Sequence, residues 1–367
     1  MSTQSPTPGP DLGVLEAQLA SQCPREEGSL TRVARQILER ENGEEPSLNS
    51  SEIDFAMRAA GSPHVWPRAW TLRGSPIGEA DSVARFKRWL HSDPGPGEIR
   101  CGVAVHREQG QPTSIAVLVV NALADLRPVP TQIPPGRWID LRATSLVELS
   151  NAKLVVLGPQ GAPRSLPTTL RGQEIFARVR IDRPGAWQLQ LLTNVESGPR
   201  PVLEARVYAG QQPPARLEDA PAPGEQSVGA SSDPIAQLTS MVAALRTAER
   251  LTSLHRDSRL DRIAQQHAEA MRATAQLGHD VGDGNPADRL VDAGIVARFN
   301  GENVARARSV KGAHRALWAS PSHRANLLHE AFTAIGVGVA ADQRGGVWVC
   351  ETFADFGLAG TPHRSSP

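Results

Sequence analysis

The side chains best suited to chemistry lie in the last third of the chain. Two histidines, His279 and His323, are interleaved with two acidic residues, Asp283 and Glu302. Imidazole nitrogens and carboxylate oxygens are ligands for Zn²⁺ or a similar divalent ion. Without a metal, the same four groups can form a hydrogen-bonded network of charge-matched pairs. The residue types leave both alternatives open.

Polar neighbours of these residues have plainer interpretations. Asn303 and Asn326 are predicted to form local hydrogen bonds that fix the turn and the helix carrying His323. Ser320 precedes a proline and is predicted to cap a helix rather than to act as a nucleophile. His267 falls on an amphipathic helical pattern, which favours packing or the surface over a ligand role.

Three motifs in fixed order surround the site residues. Gly-Glu-Asn ends at Asn303, Trp-Ala-Ser-Pro-Ser-His-Arg-Ala-Asn-Leu-Leu begins at Trp318, and Gly-Val-Gly-Val-Ala begins at Gly336. This set resembles the CAP superfamily of cysteine-rich secretory, antigen 5 and pathogenesis-related 1 proteins, and its small bacterial secreted members in particular. The resemblance covers roughly residues 236–356. It implies an α–β–α sandwich around an antiparallel sheet.

The resemblance also implies a cleft formed by His279, Glu302 and His323, which are the tentative metal ligands. The family commonly has a glutamate five residues after the first histidine, where this chain has Gly284. Asp283 stands one residue earlier and is the expected fourth member. A zinc ion or another divalent cation is the implied cofactor.

For function, the resemblance implies a secreted or envelope-associated bacterial protein, extracellular or periplasmic. Its role would be to bind a lipid, a small molecule or a protein partner through the cleft. The alternative is a metal-dependent hydrolase acting on peptide or cell-wall material. In that case the ion polarises a carbonyl or activates water, while Glu302 or Asp283 moves protons.

Composition shifts divide the chain into five segments. Residues 1–24 and 211–233 are rich in proline and polar residues and are predicted to be a flexible tail and an interdomain linker. Residues 128–210 show period-two alternation punctuated by glycine and proline, which predicts an all-β sandwich. The cleft-bearing CAP domain is expected over residues 234–358. The whole chain is therefore expected to be α+β.

Residues 25–127 look like a degenerate copy of the C-terminal domain that has lost the cleft residues. Short matches occur in the same order in both segments, which predicts a domain duplication. The paired segments are Leu30–Gln36 with Leu260–Gln266, Met57–Gly61 with Leu290–Gly294, Trp89 with Trp318, Cys101–Val105 with Ile335–Val339, and Ala122–Leu126 with Thr352–Phe356.

Charge and cysteine content exclude some classes and leave others open. The 39 basic and 39 acidic residues balance, so there is no electrostatic reason to expect binding to nucleic acid. No apolar run is long enough for a transmembrane helix. The first residues lack a signal-peptide pattern, as they also would if a leader had been removed. Pairing of Cys23 with Cys101 is left open, since it requires an oxidising compartment.

Overall fold

The computed structural model describes residues 11–39, 50–74, 78–92, 95–107, 112–195, 198–217, 220–228, 233–343 and 345–357. Two compact units divide the chain. The first comprises Met1–Leu154, Leu166–Thr193 and Arg200–Leu217, and the second comprises Val155–Ser165, Asn194–Pro199 and Glu218–Pro367.

The N-terminal part of the first unit is an antiparallel sheet between helices. Its strand order is β1-β3-β2. Helices α2 and α3 pack on one face of the sheet, and α1 and α4 pack on the other. The elements are α1 (Leu12–Ala20), α2 (Gly28–Glu39), α3 (Ser50–Ala59), β1 (Arg68–Gly74), α4 (Glu79–Leu90), β2 (Glu98–His106) and β3 (Thr113–Ala122).

Helix α1 lies inside the segment predicted to be a flexible tail, and here the structure differs from the prediction. Asp11 caps the helix by accepting a hydrogen bond from the backbone of Gly13 at 2.9 Å. Leu15 and Leu19 lie four residues apart, on one side of the helix, and are fully buried. This apolar pair anchors the helix in the core that contains Phe86 and Cys101. Residues 1–10 of the predicted tail lie outside the described residues.

Two sheets follow and form the predicted β-sandwich. Their strand orders are β4-β6-β10-β9 and β5-β12-β11-β7-β8. The strands are β4 (Ala124–Leu126), β5 (Gln132–Ile133), β6 (Arg137–Ser145), β7 (Ser150–Leu157), β8 (Arg164–Pro167), β9 (Thr169–Arg171), β10 (Glu174–Ile181), β11 (Gly185–Val195) and β12 (Gly198–Ala209).

Part of the predicted linker is ordered against the C-terminal domain. Residues Glu225–Ser227 form a 3₁₀ turn, and Ala222 and Glu225 are buried. Glu225 forms an ion pair with Arg315, with Oε2 and Nη2 2.7 Å apart. The composition of this segment alone predicts a spacer. In the structure, the ion pair of the buried Glu225 carboxylate with Arg315 holds the turn in place. Residues 218–219 and 229–232 of the predicted linker lie outside the described residues.

The C-terminal domain is a three-layer α–β–α sandwich. Its sheet has the order β13-β15-β16-β14, with α5, α8 and α9 packed on one face and α6 with α7 on the other. The elements are α5 (Pro234–Ala248), β13 (His255–Arg256), α6 (Ser258–Thr274), α7 (Pro286–Asp292), β14 (Phe299–Ala307), α8 (Val310–Ala319), α9 (Pro321–Leu327), β15 (Ala334–Ala341) and β16 (Val347–Asp355).

Corresponding strands pair in the same register in the N-terminal sheet and in the C-terminal sheet. Cys101 lies opposite Val119 and forms a parallel bridge with Glu26, just as Ile335 lies opposite Phe353 and pairs in parallel with Arg256. A Cβ on Gly102 would come within 2.1 Å of the Leu30 carbonyl carbon, and one on Gly336 within 2.1 Å of that of Leu260. Both glycines therefore let a helix approach its sheet in the same way.

This register corrects one of the sequence matches. Since Cys101 corresponds to Ile335, its partner Val119 corresponds to Phe353. The match of Ala122–Leu126 with Thr352–Phe356 is therefore out of step by four residues. Short alternating apolar segments resemble one another in several registers, and only the strand pairing distinguishes them.

The observed architecture confirms the α+β fold class. Among the described helices, none is both long enough and apolar enough to cross a bilayer.

Candidate functional site

Glu302 is the buried centre of the site. It lies on β14, its side chain is 1% exposed, and Oε1 accepts a hydrogen bond from His279 Nδ1 at 2.8 Å. Oε2 accepts from the guanidinium of Arg289. Burial by itself raises the pKa of Glu302, but the hydrogen bond from His279 and the charge of Arg289 lower it below its ordinary value. The carboxylate is therefore ionised and fully engaged.

Arg289 ties the loop before α7 to this carboxylate. Its guanidinium donates to the backbone oxygens of His279, at 3.0 Å, and of Gly284. The same Nη1 lies 3.5 Å from Asp283 Oδ1. Its side chain is 8% exposed. The sequence interpretation did not include this arginine, which fixes the loop on which His279 and Asp283 lie.

His267 of α6 holds Asp283. Its side chain is fully buried, with Nδ1 2.8 Å from Asp283 Oδ2 and Nε2 2.9 Å from the carbonyl oxygen of Gly278. His267 therefore connects α6 to the loop that carries Gly278 and Asp283. The sequence correctly placed His267 on a helix, but its interpretation as packing or surface missed the contact with Asp283.

His323 lies at the first turn of α9 and is half-buried. Burial, with a smaller contribution from the charge of His279, lowers the pKa of His323 to about 3. The imidazole is therefore neutral at pH 7. Its ring makes no hydrogen bond to any of the residues that the structure describes. His323 thus has a nitrogen lone pair that no described residue uses, and it lies near enough to His279 for the charge of that ring to affect its pKa.

Asn303 and Asn326 join α9 to the sheet. Asn303 Nδ2 lies 3.2 Å from the carbonyl oxygen of His323 and 3.0 Å from Glu351 Oε2. Asn326 Nδ2 donates to the carbonyl oxygen of Glu302 at 3.1 Å and to Asn303 Oδ1 at 3.0 Å. The two amides therefore position the helix that carries His323.

Glu351 is a second buried carboxyl that the sequence interpretation did not single out. Burial raises its pKa to about 7, and the hydrogen bond from Asn303 offsets this only in part. Its Oε1 has no hydrogen-bond partner among the described residues. Strand register places Glu351 on the sheet face that packs against α9, whereas Glu302 is on the face that packs against α6.

The hydroxyl and thiol groups near the site are not activated as nucleophiles. Ser320 is the N-cap residue of α9 and Pro321 follows it, but the Ser320 hydroxyl makes no capping bond and lies 3.4 Å from the Ser322 hydroxyl. Cys350 is buried, and burial raises the pKa of its thiol well above the ordinary value.

The donor set fits a metal ion only in part. His323 and the Nε2 atom of His279 supply two imidazole nitrogens, but Glu302 already accepts from His279 and Arg289. To bind a metal, Glu302 would have to give up one of these bonds. Among the described residues, no three His, Cys, Asp or Glu side chains converge as a ligand set. The ligand capacity therefore rests on the two imidazoles.

The corresponding strand of the N-terminal sheet lacks this chemistry. Ala69 pairs with Leu118 where Glu302 pairs with Thr352, and Trp70 takes the place of Asn303. Apolar side chains therefore stand where the cleft network stands in the C-terminal domain.

Comparison with known proteins agrees with the fold. Residues 239–352 match the family model described as CAP, the cysteine-rich secretory protein family. A search of curated proteins found no significant match.

Solved structures similar to this chain include three bacterial proteins. An outer surface protein of Borrelia burgdorferi is 20% identical, with 34% of this chain and 93% of that chain covered and a TM-score of 0.32. An extracellular protein containing an SCP domain from Bacillus anthracis is 18% identical, with 61% and 88% covered and a TM-score of 0.31. A cysteine-rich secretory protein from Staphylococcus aureus is 12% identical, with 59% and 76% covered and a TM-score of 0.30.

The α–β–α sandwich and the family match over residues 239–352 together identify the C-terminal domain of this chain as a CAP domain.

Proposed function

We propose that the CAP domain is a binding module of an exported protein, in which the imidazoles of His279 and His323 contact the ligand. The observation that carries this proposal is the engagement of Glu302 by His279 and Arg289. That carboxylate holds a neighbour in place, and the open hydrogen-bonding capacity of the site belongs to the histidines. The ligand is a small molecule, a lipid headgroup or a protein group that hydrogen-bonds to imidazole.

A hydrolase at the same site has less support. General acid–base catalysis requires a group that reaches the substrate and has a pKa near the working pH. Glu302 is almost completely buried and its pKa is lowered, and Asp283 is engaged by His267 and Arg289. These carboxylates are arranged to position side chains rather than to move protons.

Export is supported by the disulfide in the first unit. Cys23 and Cys101 are bridged, with their Cα atoms 5.9 Å apart. Disulfides persist in oxidising compartments and are rare in the cytosol. We place the protein outside the cytosol, in the extracellular space or the cell envelope.

Titration of Zn²⁺ into the full chain tests the binding site. Zinc is the probe because imidazole nitrogens are among its preferred ligands, and the neutral His323 needs no deprotonation at pH 7. We expect saturable one-to-one binding by calorimetry that is lost in the double variant His279→Ala, His323→Ala. The matched control is His91→Ala, His255→Ala, which removes two exposed histidines. Equal binding by both double variants would contradict the assignment of the two cleft imidazoles.

A further inference from the structure

The outward face of one sandwich sheet is rich in arginine and aromatic residues. In β6 and β10, alternate side chains such as Leu141 and Val179 are buried in the sandwich. The side chains between them lie on the opposite face, because successive residues of a strand point to opposite sides. We call this the arginine–aromatic face; its members on β6, β10 and β9 are Trp138, Asp140, Arg142, Thr144, Glu174, Phe176, Arg178, Arg180, Thr169 and Arg171.

Both rings on this face are stacked with guanidinium groups. Trp138 is 53% exposed, and Arg178 lies 4.8 Å from its ring centroid. Arg142 and Arg171 lie 5.9 and 5.7 Å from the ring of Phe176. A guanidinium held on a ring keeps its N–H edge available to an anion and loses little freedom when it binds.

The face carries an excess of positive charge. Four arginines and two acidic residues, Asp140 and Glu174, leave a difference of 4 − 2 = 2 positive charges. Asp140 pairs with Arg178 at 3.2 Å. Arg142 and Arg171 have no carboxylate within ion-pair distance in the part of the chain that the structure describes. This local excess stands out in a chain whose formal net charge is zero.

A groove runs over the same strands. It has a volume of about 460 Å³ and is lined in part by Arg142, Phe176, Arg178, Leu166 and Thr169. This volume falls in the range of about 300–1,000 Å³ that is usual for binding sites. Aromatic, apolar and cationic groups therefore meet in one concave surface.

The spacing of the rings requires an extended ligand. Trp138 is four residues from Arg142, about 13 Å along the strand at ~3.3 Å per residue, and Phe176 lies directly opposite Arg142. A single sugar ring is too short to contact both aromatic side chains. A polymer that presents flat apolar ring faces and regularly spaced carboxylates would contact the rings and the arginines together.

We propose that the arginine–aromatic face binds an acidic polysaccharide, a polymer of sugars that carry carboxylate groups. The arginines pair with the carboxylates, and Trp138 packs against the C–H face of a sugar ring. The surface is independent of the CAP cleft and does not rest on the function proposed for it.

Binding of polygalacturonate to the full chain tests this proposal. We expect retardation in affinity electrophoresis at low salt that weakens as ionic strength rises. Affinity should fall about tenfold or more in Arg142→Gln, Arg178→Gln, which removes two charged contacts. Trp138→Ala should weaken binding to polygalacturonate without changing the salt dependence, because it removes no charge.

A matched control comes from another exposed aromatic residue beside an arginine. Arg298 stacks on Phe299, which is 51% exposed, so Arg298→Gln, Phe299→Ala removes one charge and one ring elsewhere. This variant should bind polygalacturonate like the wild type. Thermal melting checks that each variant is folded. If Trp138→Ala is not folded, the single variant Arg178→Gln tests the face in its place. Equal binding of neutral dextran, tighter binding of single-stranded DNA, or no binding of polygalacturonate would each overturn the proposal.

Discussion

Glu302 shows how a buried charge can be used to position other groups. An ionised carboxylate in a protein interior is tolerated when it is hydrogen-bonded and paired with an opposite charge. Here Arg289 supplies the opposite charge and His279 the hydrogen bond. Removal of one partner should therefore lower the free energy of unfolding by more than the pair itself contributes to it, because the remaining charge stays buried.

The variant Arg289→Gln tests this argument. It leaves Glu302 buried without its cation, and we expect a loss of about 3–5 kcal/mol in the free energy of unfolding. Arg298→Gln is the control, since that side chain is 68% exposed; its effect should stay within about 0.5 kcal/mol. Urea denaturation followed by tryptophan fluorescence measures both. Similar stabilities of the two variants would mean that Arg289 does not hold Glu302.

At Glu351 we expect a substitution to stabilise the protein, because burial raises the pKa of this carboxyl to about 7. When the pKa of a carboxyl is higher in the folded state than in the unfolded state, the free energy of unfolding falls with rising pH. For Glu351 this fall runs from the unfolded pKa of 4.5 through the folded pKa of about 7. Glu351→Gln removes this fall. The variant should nearly match the wild type at pH 4.5 and exceed its unfolding free energy at pH 8 by about 3 kcal/mol. Urea denaturation at the two pH values checks this; a difference that does not change with pH would refute it.

At the scale of elements, the position of the site depends on how closely α6 approaches the sheet. Gly336 and Gly338 lie under this helix, where an added Cβ would come within 2.1 Å of Leu260 and 2.2 Å of Ala264 backbone atoms. Three residues further along the helix from Ala264, His267 reaches Asp283. A shift of the helix away from the sheet would therefore also move the support of the cleft.

Gly336→Ala is expected to destabilise the CAP domain by about 3 kcal/mol or more, because the methyl group meets backbone that cannot move aside. Gly28→Ala is the control. Its added Cβ would lie 3.9 Å from the nearest heavy atom, the end of the Arg32 side chain. That change should stay within about 1 kcal/mol. Thermal unfolding compares the two, and an unchanged Gly336→Ala would show that the helix can move.

The same elements show what the sequence could and could not predict. Strong periodicity and the ordered motifs predicted the α+β class, which the structure confirms. His279, Glu302 and His323 followed from a motif, and the assignment of a cleft role to them stays a prediction. His267 and Arg289 were missed because their roles depend on partners that only tertiary packing brings near. A histidine in an amphipathic pattern or an arginine in a short helix usually has no role in a functional site, so neither stands out in the sequence.

The helix over Leu12–Ala20 was missed for a different reason. Proline and polar residues before it dominate the composition of residues 1–24, and only Leu15 and Leu19 are apolar anchors within the helix. Composition averages over a segment, whereas burial depends on which side chains share one side of a helix. A four-residue spacing of leucines after Asp11 was the signal available in the sequence.

In the whole molecule, the strands of the N-terminal sheet follow the same order as their counterparts in the C-terminal sheet, but the two sheets differ in the side chains at corresponding positions. The C-terminal sheet carries buried polar groups, Glu302 and Asn303, whereas the N-terminal sheet has Ala69 and Trp70 at the corresponding positions. The N-terminal sheet has its buried charge elsewhere, at Arg100 on β2, which is 3% exposed and pairs with Asp125 and Glu98. The N-terminal domain is also cross-linked by a disulfide between Cys23 and Cys101.

This disulfide should stabilise the N-terminal domain alone. It joins residues 78 positions apart, and closing a loop of that length contributes on the order of 4 kcal/mol in the chain-entropy account. In Cys23→Ser, Cys101→Ser, the amides of β2 and β3 should exchange hydrogen faster, while those of β15 and β16 keep their protection. Hydrogen exchange measured by mass spectrometry compares the two sheets within one sample.

Thiol labelling provides the matching chemical test of the whole chain. Denatured but unreduced protein should react at one cysteine, Cys350, which is free and buried in the native fold, and at all three after reduction. Cys350→Ser should abolish labelling before reduction, because the remaining two cysteines are bridged. Three reactive thiols in protein freshly isolated from an oxidising compartment would refute the bridge, and with it the structural argument for export.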